Sequence, residues 1–471
     1  MLIREALALA EAEPYLFELI EKDLDALAVA KKQRRLEEKS WYESQGKMLP
    51  GFEGSDDADW LNDLSLGMGR PRMPAVIVLV FLTVRGYVGG FKNRKVATLL
   101  LESKTLEIAL KNFGYELPGF STIIDNVNAV SQKTIEAFLD AQIRQVAREQ
   151  LDDFKEITFD STAVRANSEW PTDSALIMKL ALRAMDLIRN LGRHGVTMRI
   201  PKAIDEILSD IKITNKEIQL STGKRNGNKT RAKLYRKLYR LARKLLKELR
   251  DIQERANGKA SKLLVPPSTR RNIELFLNWL DVDIKNLDLM IINSGRRINK
   301  DEKVPAEEKY YSVADEDAAM IVKGGREPTF GFRPQLGRSA NGFVTALIVP
   351  VGNAADSAQM EPIVDQSIIR TGITPSILSF DDGYTSGAAR AKYTEDGIKV
   401  SFSGAKGKQI IPSDEYDSAE YRQARNNRSA VESLMFVLRH NHRFDQVMRR
   451  GIDAVRCELL EKVLVYNFFR I

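Results

Sequence analysis

The chain has 471 residues, 43% of them hydrophobic, which is enough material for about two to four domains with buried cores. Lys and Arg number 72 against 64 Asp and Glu, so the formal charge is only +8, and a nucleic-acid site has to be argued from where the basic residues lie. The single cysteine, Cys457, excludes an internal disulfide and, with only three histidines, a Cys/His zinc site. A bound metal is therefore expected to be a hard cation held by carboxylates.

The amino-terminal part of the chain is predicted to begin with a helix. Apolar residues between Leu16 and Leu27 recur at helical spacing, which indicates a helix within residues 1–40. The Gly- and Asp-rich residues 41–70 are predicted to be a loop. The start of the chain has no signal-peptide pattern, so a cytosolic protein is expected.

Residues 74–150 are predicted to form shorter helices. Gly86, Gly89 and Gly90 are expected to break the first of these, and Ser121 is a plausible N-cap for a later one. The longest apolar run, residues 75–84, is too short to span a bilayer. The pattern fits either a small helical bundle or a helix-turn-helix-like DNA-binding domain, with positive charge from Lys92, Arg94 and Lys95.

A strand is predicted over residues 155–166, and helical periodicity returns from 171 to 290. Within it, residues 224–250 are strongly basic and contain one acid, Glu248, while the leucines form a single stripe at i+3/i+4 spacing. This segment is either an ordinary basic surface helix or a face that follows a phosphate backbone. In the second case the DNA contacts are assigned to Lys233, Arg236, Lys237, Arg240 and Lys244.

After about residue 325 the periodicity changes to that of strands. Residues 333–338 and 343–351 flank Ala340-Asn341-Gly342, a turn signal, so a β-hairpin is predicted. The elements predicted after it are a helix over 357–369, strands over 376–380 and 400–402, and a helical tail from about 418 to 471. One β-rich domain is therefore predicted to be split by a helical insertion.

Three acidic residues stand in settings that suit a metal site. Asp160 and Asp381 each end a short apolar run, and Glu432 lies on a basic helical segment with several arginines. Carboxylates at strand ends project past the edge of a sheet, and three converging acids could hold two Mg²⁺ ions that cut and join phosphodiesters. Arg428, Glu432 and Arg439 share a helix face, where arginines could grip phosphate.

Each acid also has a structural interpretation. An aspartate after a strand often caps it or forms a turn, and the sequence Asp-x-Gly-Tyr is an ordinary turn by itself. The arginines around Glu432 could form a surface salt-bridge ladder. The nearest competing acids are Asp173, Asp356 and Asp382.

Taken in chain order, these segments resemble the catalytic motifs of DDE insertion-sequence transposases. The first motif is similar to Thr158 to Val164 with Trp170 to Ser174, the second to Gly352 to Ser357 with Phe380 to Ser386, and the third to Asn427 to Glu432 with Arg439. The closing Tyr466-Asn467 and the segment Pro118 to Thr122 also fit the family. In the Tyr-Arg-Glu-Lys signature of some members, Arg425 stands at the Tyr position and Arg439 at the Lys position.

The resemblance implies an α/β RNase H-like catalytic domain, with a mixed sheet flanked by helices, interrupted by a largely helical insertion and preceded by an all-α domain. Its triad would be Asp160, Asp381 and Glu432, holding two Mg²⁺ ions, for which Mn²⁺ is expected to substitute. Arg425, Arg428 and Arg439 would contact DNA. The implied regions are 1–150 for DNA binding or dimerisation, 151–170 and 326–471 for the catalytic domain, and 171–325 for the insertion.

The implied function is that of a DNA transposase. It would bind the terminal inverted repeats of its element as a homodimer on double-stranded DNA, cleave the strands and transfer them to target DNA, with no membrane involved. The expected location is the cytoplasm of a bacterium or archaeon, at the nucleoid. Two alternatives stay open: a decayed or repurposed transposase that only binds DNA, and an RNase H-like nuclease that cuts without joining.

Overall fold

The computed structural model describes residues 2–47, 73–89, 119–221, 227–305, 308–322 and 327–471, with a few isolated positions between 102 and 111. Several predictions made from sequence fall outside these ranges. They are residues 48–70 of the loop predicted over 41–70, and the residues Gly90, Lys92, Arg94, Lys95, Pro118, Lys224 and Arg225. The predicted start of that loop is wrong, because a helix spans Tyr15–Ser44.

The chain forms two compact units, each built from separate stretches of sequence. Unit 1 comprises Met1–Val29, Arg70–Ser168 and Asp317–Ile471, and unit 2 comprises Ala30–Gly69 and Glu169–Glu316. Unit 1 therefore combines residues from both ends of the chain.

The first helices are α1 (Leu2–Ala12), α2 (Tyr15–Ser44), α3 (Ala75–Val88), α4 (Phe120–Ala129) and α5 (Gln132–Arg148). Two local predictions are wrong here. Helix α3 runs through Gly86, where a Cβ atom would lie 2.7 Å from the carbonyl oxygen of Glu461, so this glycine permits close helix packing rather than a break. Ser121 is not an N-cap, because α4 begins at Phe120 and its N-cap is Gly119.

A five-stranded mixed sheet forms the centre of unit 1. Its strands are β1 (Glu156–Ser161), β5 (Gln335–Ser339), β6 (Val344–Ile348), β7 (Ile377–Asp381) and β8 (Lys399–Ser403). Their order is β6-β5-β1-β7-β8, with β1 in the middle, antiparallel to β5 and parallel to β7. The predicted hairpin is β5–β6, and Gly342 in its turn has φ +94°. A mixed sheet flanked by helices is consistent with an RNase H-like domain.

A second, three-stranded sheet accompanies the first. Its strands are β2 (Val164–Arg165), β3 (Ala319–Ile321) and β4 (Thr329–Phe332), in the order β2-β4-β3. Strands β3 and β4 are not predicted from the sequence, because they are short and lack a long alternating pattern.

The two faces of the central sheet differ in chemistry. On one face, Phe159 and Phe380 stack with ring centroids 4.9 Å apart and pack against α10 (Asp356–Thr371). Because side chains alternate along a strand, Thr158, Asp160 and Ser379 point to the other face. That face is covered by α14 (Ala419–Asn427) and α15 (Ser429–Asn441), which contact β7 and β1 respectively.

The remaining helices of unit 1 are short, apart from the last. They are α11 (Gly387–Glu395), α12 (Ala405–Ile410), α13 (Ser413–Tyr416) and α16 (Ile452–Phe468). Helix α16 is buried along its carboxy-terminal half and packs against α3, α5 and β6, which places it in the core of the unit.

Unit 2 contains four long helices, α6 (Asp173–Arg193), α7 (Lys202–Leu220), α8 (Gly227–Ala260) and α9 (Pro267–Lys300). Their apolar stripes meet in one core that includes Leu180, Leu238 and Leu287. An ion pair between Arg183 and the buried Asp283 joins α6 to α9. Across the described parts of both units, no helix is long and apolar enough to cross a membrane.

Candidate active site

Strand register brings the two predicted aspartates together. Strands β1 and β7 pair in parallel, with Thr158 opposite Ser379. Continuing that register by two residues sets Asp160 beside Asp381 on the same face, and neighbouring strands lie about 4.8 Å apart. Two carboxylates therefore project side by side from the carboxyl ends of adjacent strands.

Backbone hydrogen bonds orient both carboxylates. Oδ1 of Asp160, which is 8% exposed, accepts a hydrogen bond from the backbone N–H of Ser161 at 2.6 Å. Oδ1 of Asp381 accepts one from the backbone N–H of Gly383 at 2.9 Å and so caps a short 3₁₀ turn over Asp382–Tyr384. The Asp-x-Gly-Tyr turn, ordinary by itself, thus fixes the rotamer of Asp381.

The third predicted acid lies on helix α15, one wall of the same cleft. Arg428, Glu432, Phe436 and His440 follow one another at four-residue intervals, so they share a helix face, and all four line the cleft. The side chain of Glu432 is 65% exposed and meets Arg428 at 3.2 Å. The ring of Phe436 is exposed in the cleft and lies 4.2 Å, centroid to centroid, from that of His440.

The cleft has a volume of about 850 Å³ and is lined by residues of unit 1. Arg439 reaches across it from α15 and donates a hydrogen bond to the Thr162 hydroxyl, just beyond β1. The small sheet contributes Arg165, Ile321 and Thr329 to the lining. Five predicted site residues therefore border one space: Asp160, Asp381, Arg428, Glu432 and Arg439.

The competing acids each have other partners, although Asp382 also lines the cleft. The Oδ1 atom of Asp382 accepts hydrogen bonds from the backbone N–H groups of Lys406 and Gly407, at 2.9 and 3.0 Å, and so holds the start of α12. Asp173 is in unit 2, paired with Arg297. Asp356 is buried beside the cleft and paired with Arg333.

The ligand atoms that line the cleft indicate which metal ion it suits. Its predicted ligands offer only carboxylate oxygens, with the Ser161 and Thr162 hydroxyls nearby, and this donor set fits a hard cation such as Mg²⁺. Within the described ranges, however, no three His, Cys, Asp or Glu side chains are close enough together to hold a metal. Asp160 and Asp381 fit as a pair, and Glu432 would have to turn away from Arg428 to join them.

Buried charge around the cleft acts on Tyr384 of the Asp-x-Gly-Tyr turn. Burial raises the pKa of its hydroxyl well above the usual value, and the negative charges of Asp356, Asp160 and Asp381 raise it further. Its hydroxyl donates a hydrogen bond to Oε1 of Gln335 on β5. Tyr384 is therefore a neutral hydrogen-bond donor behind the acidic pair.

The other predicted DNA contacts lie away from this lining. Arg425 stacks over the Tyr416 ring, with its guanidinium carbon 3.9 Å from the ring centroid, and does not line the cleft. In unit 2, helix α8 exposes Lys233, Arg236, Arg240 and Lys244, while Lys237 is half-buried. Among the residues that the structure describes, none of these five pairs with a carboxylate, whereas Arg250 on the same helix pairs with Asp288 at 2.6 Å.

Sequence reasoning missed several residues of the cleft and its surroundings. Arg333 and Gln335 lie on the amino-terminal side of the predicted hairpin, and only the strand pairing brings them behind Asp160. Phe436 and His440 could have been predicted from the sequence, because they continue the spacing of four residues that begins with Arg428 and Glu432.

Part of the chain is similar to a known protein family. Residues 305–468 match the family model described as a transposase DDE domain, a range that includes Asp381 and Glu432 but not Asp160. Neither the curated proteins nor the solved structures gave a match. Residues 305–468 are thus similar to a transposase DDE domain, and the predicted resemblance to DDE-type transposases is confirmed.

Proposed function

We propose that this protein is a DNA transposase that cleaves and joins DNA strands with Asp160, Asp381 and Glu432 as its catalytic acids. The observation that carries the proposal is the cleft lined by all three acids together with Arg428 and Arg439. The match to a transposase DDE domain implies transposition chemistry and DNA as the partner. The finer assignment of residues rests on the strand register and on the family's motif order.

The proposed metal ligands are carboxylate oxygens of the cleft. Asp160 and Asp381 would hold two Mg²⁺ ions from adjacent strand ends, and Glu432 would complete the ligand set from α15. When bound, the ions would supply Lewis acidity to the attacking and leaving oxygens of a phosphodiester. The backbone N–H groups of Ser161 and Gly383 hold the two aspartates in orientation before substrate arrives.

The arginines of the cleft would position the DNA strand. Arg428 is the N-cap residue of α15 and Arg439 lies in its last turn, about 16 Å away along the helix axis at 1.5 Å per residue, so they can contact different phosphates of one strand. In the present arrangement Arg428 pairs with Glu432. A phosphate bound to Arg428 would compete for that pair and leave the Glu432 carboxylate to the metal.

A second DNA contact is assigned to the exposed cations of α8. Lys233, Arg236, Arg240 and Lys244 would follow a phosphate backbone, with Lys237 beside them. Their lack of described carboxylate partners supports this role, because an ordinary surface helix usually mixes charges of both signs. We also infer that the protein acts as a homodimer on paired element ends.

Strand transfer tests the proposal. Asp160→Ala, Asp381→Ala and Glu432→Ala should each reduce joining of a DNA end to a target plasmid by about a thousandfold or more, since metal ions contribute several kcal/mol to such reactions. Retained DNA binding serves as the control for folding. Full joining activity in any of the three variants would contradict the assignment of that residue.

One observation favours a second candidate, a transposase that binds DNA without cutting it. Glu432 is paired with Arg428, and the described residues form no three-acid metal cluster. Mg²⁺-dependent nicking of a supercoiled plasmid that carries the element ends separates the two functions. Nicking by the wild-type protein, absent with EDTA, favours the enzyme, and binding without nicking favours the second candidate.

A further inference from the structure

A buried polar network lies behind the two aspartates. Asp356, the first residue of α10, pairs through Oδ2 with the guanidinium of Arg333 and accepts a hydrogen bond through Oδ1 from Nε2 of Gln335 at 3.2 Å. Gln335 in turn accepts a hydrogen bond from the hydroxyl of Tyr384. These contacts connect the start of α10, the strand β5 and the turn after β7.

The network touches the chain next to both acids. Nε of Arg333 donates a hydrogen bond at 3.3 Å to the hydroxyl of Ser161, the residue after Asp160. A Cβ atom at Gly383 would lie 2.9 Å from Oδ2 of Asp356 and 3.1 Å from Oδ1 of Asp381. Asp356 is therefore close to Asp381, and a side chain at position 383 would press on both carboxylates.

The charges of this network are nearly removed from water. The side chain of Arg333 is 13% exposed and that of Asp356 is 4% exposed. A guanidinium in such a place requires a negative partner, because burying an unpaired charge is costly. If Asp356 were neutral, Arg333 would keep its charge at Ser161, the residue after Asp160, while Asp381 lies across Gly383 from the Asp356 carboxylate.

We propose that Asp356 is a positioning residue that neutralises Arg333 and so keeps this guanidinium away from Asp160 and Asp381. This guanidinium then does not compete with the metal for the oxygens of the two aspartates. Asp356 itself lies outside the metal ligand set. The inference rests on the proposed function insofar as it takes Asp160 and Asp381 to be metal ligands.

Metal binding measured without DNA tests this role separately from catalysis. Mn²⁺ would be titrated into the full-length protein and the free ion followed by electron paramagnetic resonance. Asp356→Asn should weaken Mn²⁺ binding by roughly tenfold or more, because a freed cation near the site repels the metal and competes for its ligands. Adding Arg333→Gln to Asp356→Asn removes that cation and should restore binding to within about threefold of wild type.

The double variant distinguishes positioning from two other roles. If Asp356 were a metal ligand or only a structural support, removing Arg333 as well would not rescue binding, and the double variant would stay as weak as Asp356→Asn. That result would overturn the proposal, as would unchanged Mn²⁺ binding by Asp356→Asn. Thermal unfolding of each variant shows whether the fold is retained.

Asp160→Asn and Asp381→Asn serve as controls for the metal site itself. Both should bind Mn²⁺ much more weakly than wild type. If they bind as tightly as wild type, or if the wild-type protein binds no Mn²⁺, the assigned metal site fails and the positioning role of Asp356 fails with it. If these controls behave as expected but the double variant does not recover, only the role of Asp356 is overturned.

Discussion

At the scale of single residues, the candidate site depends on backbone contacts as much as on carboxylates. Asp160 and Asp381 end neighbouring strands, and in each case an N–H group a residue or two further on holds one oxygen. Glu432 has no comparable support, since it lies on an exposed helix face beside Arg428. The site is therefore preorganised on the sheet side and adjustable on the helix side.

His442 gives the protein a pH dependence that arises from one buried ring. Burial lowers the pKa of His442 to about 4 from its usual 6.5. The folded state therefore favours the neutral ring, and stability is fully present above pH 6.5 and is lost as pH falls towards 4. Between pH 7 and pH 5 this group alone should cost about 2 kcal/mol.

His442→Phe keeps a ring against Tyr466 and Phe469 but cannot take up a proton. Urea unfolding at pH 7 and pH 5 should show that the variant loses about 2 kcal/mol less than wild type over this interval. Equal losses in the two proteins would show that His442 does not carry this part of the pH dependence.

At the scale of secondary structure elements, α3 and α16 approach closely because one residue has no side chain. A Cβ atom at Gly86 would lie 2.7 Å from the Glu461 carbonyl oxygen and 3.0 Å from Val465. Helix propensity alone favours Ala over Gly by about 1 kcal/mol. Propensity therefore predicts that Gly86→Ala raises the free energy of unfolding, whereas packing predicts that it lowers it.

Packing is expected to prevail at Gly86. Gly86→Ala should lower the free energy of unfolding by about 1–3 kcal/mol, as overpacked cores do. Gly258→Ala, in α8, is the matched control: a Cβ atom there would meet no neighbouring residue within 4 Å, so the change should stabilise by about 0.5–1 kcal/mol. Chemical denaturation measures the free energy of unfolding of both variants. Stabilisation by Gly86→Ala would contradict the close contact.

The exposed face of α8 makes a separate prediction about DNA. Arg236→Glu with Arg240→Glu should weaken binding to DNA of any sequence and reduce the slope of log K against log salt by about 2. Lys212→Glu with Lys216→Glu makes the same change of charge on the exposed face of α7. The DNA affinity of the two double variants is measured over a range of salt concentrations. An equal loss of affinity in both would mean that only net charge matters.

At the scale of the whole molecule, each unit is assembled from segments that are distant in sequence. In unit 1, Arg85 on α3 pairs with Glu461 on α16, 376 residues away, and Gln142 on α5 donates to the backbone of Leu464. Arg449 also pairs with Glu461. Although burial alone would raise the pKa of Glu461, the positive charges of Arg449 and Arg85 outweigh it and lower that pKa.

Local pattern is enough to predict the long helices, the hairpin and the strands that carry Asp160 and Asp381, because periodicity and turn residues act over a few residues, but it does not reveal the short helices α11, α12 and α13. It could not show that α16 joins the amino-terminal helices, since that contact depends on two segments fitting each other. For the same reason Gly86 was predicted to break a helix, since its close contact with α16 cannot be seen in the local sequence. The sequence singles out Asp356 as an acid near the motif but not its pairing with Arg333, because that contact joins the segment before β5 to the start of α10.

The central claim is that the acids brought together by β1 and β7 cut DNA. The most direct test incubates the protein and Mg²⁺ with DNA that contains the gene and its own flanking sequence, and maps the 3′ ends released. Wild type should cut at matched inverted repeats near both ends of the gene. Asp381→Asn should bind the same DNA but cut it about a thousandfold more slowly, because it removes a metal-ligand charge. Cutting by Asp381→Asn at the wild-type rate, or by wild type with EDTA present, would contradict the account.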